Sequence, residues 1–193
     1  DQIVIGGEYE GRSYVGMVGH LAGTFRRSWN GIPATGQVVY WRYGEFHQMA
    51  GGKIIQSTVL WDVLDFIRQT GFWPLAPSLG QEGMWAGPLS GDGIILDEQD
   101  PRLSAASLKL SLDMQASLGA YNDFAGNGRE GLLNMPQKQF WHPKMMWYGP
   151  SGIGSTRGLD GFVDKHQLPF RQAFPRDPAI AQQPGMGKHG GSH

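Results

Sequence analysis

The fold of this 193-residue chain is decided by the stretch QVVYWRYGEFHQM (37–49), followed by AGGK (50–53) and IIQSTV (54–59). β-Branched and aromatic residues dominate both arms, and two glycines stand between them, which is typical of two strands joined by a hairpin. Side chains alternate between the two faces of a strand. One face of the first arm is therefore predicted to carry Val39, Trp41, Tyr43, Glu45, His47 and Met49, and the other Val38, Tyr40, Arg42, Gly44, Phe46 and Gln48.

The sequence pattern predicts β-structure throughout residues 1–59, on both sides of the hairpin. After residue 59 the spacing of the hydrophobic residues becomes that of a helix. Residues 14–25 are small, apolar and rich in glycine, which indicates a strongly bent strand. Residues 31–36 form a turn segment containing Pro and Gly. Residues 60–70 have the spacing of a helix, and Gly71 follows that helix in the usual C-terminal position.

The remainder of the chain predicts a linker and then a second, mainly helical half. Residues 72–103 are rich in Gly and Pro but carry large apolar side chains, so we expect a linker that packs against other parts of the protein. The segments predicted after it are a helix at 104–121, a short helix at 129–134, a loop leading into a strand at 140–148, a turn-rich loop at 149–158, a helix from 159 to 170 kinked at Pro169, and a mobile tail from Pro175 onward.

Composition excludes several classes of function. The net charge of -1 comes from 16 basic and 17 acidic residues, without the basic stripe that nucleic-acid binding requires. There are no cysteines, which excludes disulfides, thiolate metal sites and cysteine nucleophiles. His189 and His193 lie in a glycine-rich tail that does not preorganise a metal site. We therefore expect no nucleic acid and no metal, and the sequence indicates no other cofactor.

The sequence also bears on location. No apolar run approaches the ~20 residues of a membrane span. The opening residues DQIVI (1–5) lack the charged-then-apolar layout of a signal peptide. The expectation is a cytoplasmic protein with no membrane partner.

Two blocks of motifs stand out against this background. The first consists of GIPATG (31–36), EFH (45–47), GKII (52–55), Asp62, Gln69 and Gly71. The second consists of WYGP (147–150), GIG (152–154), RGLDGF (157–162) and AFP (173–175). The first block resembles the C-terminal half of the SnoaL-like polyketide cyclase family. The second, preceded by the predicted helices, is similar to the N-terminal half of the same family.

The resemblance implies an α+β fold of the nuclear transport factor two-like kind, in which helices cover a curved antiparallel or mixed β-sheet cone. The two halves stand in reversed order along the chain. This order fits the middle of a tandem two-domain protein. It also fits a circular permutation of one domain, in which the two halves complete each other within one chain or by exchange between two chains. Neither half can close a core alone. We therefore expect one cone-shaped domain, made of a C-terminal-type half at 1–71, the linker at 72–103 and an N-terminal-type half at 104–193, and we expect a homodimer.

The resemblance also implies that Asp62 is the general acid/base of an intramolecular aldol closure, with His47 as its partner. A carboxylate suits this chemistry because a proton leaves an activated carbon while a carbonyl oxygen becomes a hydroxyl. The alternative for Asp62 is a solvated residue near a helix start, where its charge is favourable to the helix dipole.

Further residues are candidates for binding the substrate. The residues that share a strand face with His47 either line a pocket together with it or face outward together with it. Aromatic residues of the second block could wall a flat polycyclic ligand or simply fill the core. These candidates are Trp41, Tyr43 and Glu45 from the strand, and Trp147, Tyr148 and His166 from the second block.

The sequence and the resemblance lead to two hypotheses. The first is a cofactor-free lyase or isomerase that closes or rearranges a ring in a carbonyl-bearing, polyketide-like small molecule. The alternative is a non-catalytic module of the same fold that binds an apolar small molecule or serves dimerisation, because fold alone does not fix function.

Overall fold

The computed structural model describes residues 2–83 and 85–174, except for the side chains of Asn122 and Ala125. The predicted mobile tail and its two histidines lie outside the described residues. Among the residues that are described, no helix is both long enough and apolar enough to cross a membrane.

The chain divides into two compact units. Among the described residues, the sheet unit consists of residues 2–98 and 150–154, and the helical unit of residues 99–149 and 155–174. The sheet unit holds the four long strands, and the helical unit holds most of the helices. The class is therefore α+β, as predicted.

The sheet unit is built on a four-stranded antiparallel sheet, which confirms the β-structure predicted before residue 60. The strands neighbour one another in chain order. At the turn that closes the central hairpin, Gly51 and Gly52 have φ of 55° and 72°, values that a two-residue hairpin turn demands and glycine supplies. The strands are β1 (Ile3–Tyr9), β2 (Arg12–Thr24), β3 (Val38–Ala50) and β4 (Lys53–Trp61).

The pairing of β3 with β4 contains one irregularity, which sets which side chains face each other. Next to the turn the register is regular. Ile55 then stands out of register as an extra residue on β4, a β-bulge. Beyond the bulge His47 lies opposite Ser57. An unbroken register would have placed His47 opposite Gln56.

The first helix, α1 (Val63–Gln69), begins three residues later than the periodicity predicts. Leu60 and Trp61 instead continue β4, because β3 still offers them pairing partners. Asp62 then starts the helix. Its side chain accepts a hydrogen bond from the backbone N–H of Asp65 at 3.0 Å, as an N-cap residue does.

Helix α1 packs on one end of the sheet through Phe66. The Phe66 ring stacks on Trp41 of β3 with 4.8 Å between ring centres, and it makes edge contacts with Phe25 and Trp29 at 5.0 Å and 5.6 Å. Val39 completes this buried cluster. The face of β3 that α1 covers at this end is the face that the sequence assigns to the candidate site residues.

The helical unit combines one long helix and several short ones with a two-stranded pairing. The short helix predicted at 129–134 and the strand predicted before residue 149 are both present. Its described elements are α2 (Pro101–Ser117), α3 (Tyr121–Ala125), α4 (Gly128–Leu133), β5 (Met146–Trp147), β6 (Thr156–Arg157), α5 (Gly158–Phe162) and α6 (Leu168–Ala173).

The start of α2 corrects the predicted helix at 104–121. The helix begins at Pro101 because Asp100 caps it, accepting the backbone N–H of Arg102 at 2.9 Å. Proline suits the first turn, where its missing N–H would have no intrahelical partner. The predicted helix also ends early, since α2 stops at Ser117 and a 3₁₀ turn follows.

A π-helical turn lies just before Pro169, the position at which a kink is predicted from the sequence. Helix α5 passes into this turn at Val163–Gln167, and α6 resumes after it. Proline donates no hydrogen bond and its ring clashes with the preceding turn, so a widened turn before Pro169 relieves both problems. Val163 in this turn packs with Leu132 and Met135 in the fully buried core of the helical unit.

Candidate functional site

A hydrogen-bonded set of three side chains, the His47 set, lies where β3 and β4 pair. Nδ1 of the buried His47 imidazole is 2.9 Å from Oγ of Ser57, and Nε2 is 3.2 Å from Oε2 of Glu45. A carboxylate only accepts hydrogen bonds, so Glu45 fixes the imidazole proton on Nε2 and Nδ1 accepts the Ser57 hydroxyl. The set holds the imidazole in one tautomer, with its basic nitrogen turned toward Ser57.

Tyr43 and Trp41 continue the same face of β3 beyond Glu45. Burial, together with the nearby Glu45, raises the pKa of the Tyr43 phenol, which therefore stays protonated at neutral pH. Trp41 lies against α1 and also meets Trp61 of β4, with 5.7 Å between ring centres. The structure thus places Trp41, Tyr43, Glu45 and His47 on one face, as predicted from the strand period.

Asp62 lies in a second set, the Arg42 set, which consists of Arg42, Asp62, Asp65 and Ser151 and is centred on a buried ion pair. The Asp62 carboxylate accepts a hydrogen bond from Nη2 of Arg42, whose side chain is fully buried. It also accepts the backbone N–H groups of Asp65 at 3.0 Å and of Ser151 at 2.9 Å. Asp62 is only 8% exposed. The alternative of a solvated residue is therefore wrong, although the position at a helix start is right.

Arg42 is held from several further directions. Its Nε lies 3.6 Å from Oδ2 of Asp65, its Nη1 donates to the carbonyl of Gly83 at 2.8 Å, and its guanidinium carbon lies 4.9 Å from the ring centre of Trp85. A buried charge persists only when it is paired and hydrogen-bonded. These contacts also show that the segment around Trp85 packs against the sheet, as the apolar content of the linker predicts.

The two predicted catalytic residues belong to different sets. The backbone N–H of Asp62 bonds to the carbonyl of Arg42. His47 lies five positions further along β3, about 17 Å away at the rise of an extended strand. Arg42 and His47 also project from opposite faces of β3. Asp62 and His47, the two predicted catalytic residues, therefore make no direct contact with each other.

Gln69 joins the Arg42 set to the end of β3. Its amide accepts the backbone N–H of Tyr40 at 2.8 Å and donates to the Tyr40 carbonyl at 2.6 Å. Strand β4 has already given way to α1 at this point, so Gln69 satisfies backbone groups that β4 does not reach. The same amide donates to Asp65 at 2.8 Å. Its place in the first motif block thus has a structural explanation.

Glu82 fixes residues 150–154 to the rest of the sheet unit. Its carboxylate accepts hydrogen bonds from the Ser78 hydroxyl, from the Ser151 hydroxyl at 2.7 Å and from the backbone N–H of Gly152 at 3.3 Å. Burial alone would raise the pKa of the Glu82 carboxyl, but these hydrogen bonds outweigh burial and hold that pKa below its ordinary value.

This anchor predicts an acid-sensitive contribution to stability. A glutamate in the unfolded chain titrates near pH ~4.3, above the pKa of folded Glu82, so the unfolded state takes up the proton first as the pH falls. Glu82→Gln should therefore cost stability at neutral pH, and its difference from wild type should shrink as the pH drops below about 4.5. Urea unfolding midpoints between pH 3 and pH 7 measure this difference. A difference in stability between the variant and the wild type that stays constant from pH 3 to pH 7 would refute the stabilising role of the Glu82 carboxylate.

The aromatic candidates of the second block lie in the helical unit. Trp147 stacks on the imidazole of His166 with 4.4 Å between ring centres, and Phe162 lies 5.1 Å from each of them. Burial lowers the pKa of His166 and raises the pKa of the Tyr148 phenol. Trp147 and His166 are both partly buried, and their stacking is compatible with either alternative for these residues.

An apolar cleft of about 540 Å³ lies beside α1 in the sheet unit. Its volume falls in the range of small-molecule sites. None of the residues predicted to bind or transform a substrate is among those that line it. The residues that form its apolar walls include Trp29, Ile32, Val63, Ile67, Phe72 and Trp73.

The candidates predicted from the sequence did not include Ser57, Arg42, Asp65 and Ser151 of the two sets, or Glu82, which bonds to Ser151. Ser57 reaches His47 only because of the bulge, and Arg42 was placed on the face opposite the candidates. Glu82 and Ser151 come together only in the folded chain. Within the described ranges, no group of three His, Cys, Asp or Glu side chains is placed to hold a metal ion.

The fold and the two sets define an α+β protein whose sheet carries a histidine, a glutamate and a serine in hydrogen-bond contact. Comparison of the chain with family models, with curated proteins and with solved structures gave no match. Its function therefore has to follow from the geometry of the His47 set and the Arg42 set.

Proposed function

We propose that this protein is a cofactor-free acid/base catalyst of the SnoaL-like type, which closes or isomerises a ring in a carbonyl-bearing, polyketide-like small molecule. His47 is the proton-transferring residue and Glu45 is its partner. The observation that carries the proposal is the buried His47 imidazole, held at hydrogen-bond distance between Glu45 and Ser57.

Proton transfer at a carbon atom needs a base that works near neutral pH. An imidazole whose tautomer is fixed by a carboxylate supplies the base. The proton passes to Nδ1 of His47 through the exposed Ser57 hydroxyl, which already bonds to that nitrogen, and the Glu45 carboxylate stabilises the imidazolium that forms.

In this proposal Asp62 does not move the proton. Its two oxygens already accept three hydrogen bonds from inside the protein, one of them from the Arg42 guanidinium. A substrate proton would have to displace one of these donors. The position of Asp62 in the motif is explained instead by what it holds together, namely the start of α1, the buried Arg42 and the segment at Ser151.

Exchange of the α-protons of 2-tetralone, a bicyclic ketone, in heavy water tests the proposal. The full chain should accelerate exchange over buffer, as followed by NMR of the ketone. Glu45→Gln should lower the rate at least about tenfold, because an amide does not stabilise the imidazolium. Glu8→Gln, which changes an exposed glutamate of β1, is the matched control and should keep the wild-type rate. Exchange no faster than in buffer, or equal losses in both variants, would sink the proposal.

The apolar cleft beside α1 favours a second candidate function, the non-catalytic binding of an apolar small molecule. Apart from Asn30 its side chains are aromatic or aliphatic, and no charged residue belongs to its lining. Small-molecule sites typically have such walls. Saturable binding of 2-tetralone without any acceleration of exchange would favour this candidate over acid/base catalysis.

The finer parts of the architecture belong to the same proposal. They are the nuclear transport factor two-like cone, the permuted or exchanged order of its halves, the homodimer and the cytoplasmic location. Three large apolar side chains support the homodimer, because Ile5, Phe46 and Leu60 share one face of the sheet and are all more than half exposed. Exposed apolar surface of this kind is common at protein interfaces.

A further inference from the structure

Ser57 differs from the other two members of the His47 set because it is exposed. It lies on β4, the last strand of the described sheet. Its hydroxyl oxygen is 2.9 Å from Nδ1 of His47, while Glu45 holds the opposite ring nitrogen at 3.2 Å. Hydroxyl, imidazole and carboxylate thus stand in the order that activates a serine for attack on a carbonyl carbon.

We propose that Ser57 is a nucleophile that forms an acyl-enzyme with an activated ester or thioester. The inference rests on the proposed function in one respect, because ring closure is the step that releases the acyl group. It also narrows the substrate class. The substrate is an acyl chain that carries both an activated carboxyl group and an internal nucleophile, either a hydroxyl or an enol.

The reaction balances without an oxidant or a reductant. Oγ of Ser57 forms a bond to the carbonyl carbon while its proton passes to Nδ1 of His47. The bond from that carbon to the leaving group then breaks, and the departing thiolate or alkoxide takes the proton. Next, the internal nucleophile gives its own proton to Nδ1 and attacks the acyl carbon. The bond to Oγ breaks, Ser57 regains the proton and the ring is closed.

The position of β4 at the end of the described sheet supplies donors for the carbonyl oxygen. Along such a strand, alternate backbone N–H groups point away from the neighbouring strand. The bulge at Ile55, two positions before Ser57, takes a further residue out of the regular ladder. Backbone N–H groups near the nucleophile are what the negative charge of a tetrahedral intermediate requires.

Labelling of the full chain with diisopropyl fluorophosphate tests the inference. Peptide mass spectrometry should place the adduct on Ser57, and His47→Gln should slow labelling about 10²-fold or more. Ser57→Ala should give no adduct at this position. Ser13→Ala, which changes an exposed serine of β2, is the matched control and should label like the wild type. Circular dichroism establishes that each variant is folded.

Two outcomes would overturn the inference. They are the absence of an adduct on Ser57, and labelling of Ser57 at the same rate in wild type and in His47→Gln. Either would make the contact between the two residues an ordinary cross-strand polar pair.

The exchange of 2-tetralone protons separates failure of this inference from failure of the proposed function. Exchange without labelling would eliminate Ser57 as a nucleophile and keep proton transfer by His47. Labelling without exchange would eliminate proton transfer by His47 and keep Ser57 as a nucleophile.

Discussion

Replacing Asp62 with alanine is expected to lower the free energy of unfolding of the sheet unit by about 3–5 kcal/mol. The change leaves the fully buried guanidinium of Arg42 without its closest counter-charge. An uncompensated buried charge is among the costliest single defects in a fold. The change also removes the N-cap of α1 and the acceptor for the backbone N–H of Ser151.

Urea unfolding followed by circular dichroism measures this loss. Asp100→Ala is the matched control, because Asp100 also caps a helix and also pairs with an arginine, Arg102, but does so in exposed surroundings. Exposed ion pairs contribute little, so the control should lose clearly less stability. Equal losses of unfolding free energy in the two variants would show that the buried ion pair of Asp62 stabilises the fold no more than an exposed pair does.

A double replacement separates the buried charge from the cap. Asp62→Asn keeps an oxygen that can cap α1, and Arg42→Met removes the charge that needs a partner. The double variant should therefore be more stable than Asp62→Ala, because replacing both partners of a buried pair by groups of similar volume is often nearly neutral. A double variant less stable than Asp62→Ala would place the cost in packing around Arg42 instead.

The β-structure could be predicted because every local signal in it agrees. The arms of the central hairpin are β-branched and aromatic, and the two glycines at 51–52 adopt the positive φ that the turn requires. The shared strand face of His47 and its neighbours follows from the same alternation. These properties depend only on residues near one another in the sequence.

The end of β4 and the partner of His47 could not be predicted in the same way. Leu60 has helical spacing with the residues that follow it, but pairing with β3 keeps it in the strand. Ser57 faces His47 because Ile55 bulges out of the ladder. A regular register from the glycine turn would have brought Gln56 there, so the sequence pattern alone points to the wrong neighbour.

The Arg42 set could not be predicted from the sequence, because its members are far apart in the chain. Asp62 and Ser151, for example, are separated by 89 positions. The strand period assigned Arg42 to the face opposite the candidate site, and an arginine there is most simply a solvated side chain. Only the folded chain reveals that two aspartates, a carbonyl group and an indole ring enclose it.

The second large effect is expected from His47→Gln, which should slow the exchange of 2-tetralone protons about 10²–10⁴-fold. Glutamine can still hydrogen-bond to Ser57 and Glu45, so the strand pairing is preserved. It cannot take up a proton near neutral pH, however, and the base is lost. His142→Gln, which changes an exposed histidine of the helical unit, is the matched control and should retain the wild-type rate.

The most direct test sets this variant beside Asp62→Asn in one exchange experiment, with each rate divided by the folded fraction measured by circular dichroism. Asp62→Asn keeps the shape of the side chain and removes its capacity as a base. If His47 moves the proton, Asp62→Asn will exchange nearly as fast as wild type per folded molecule, and His47→Gln will be slower by about 10²-fold or more. The reverse order, with Asp62→Asn inactive and His47→Gln active, would contradict the assignment of proton transfer to His47.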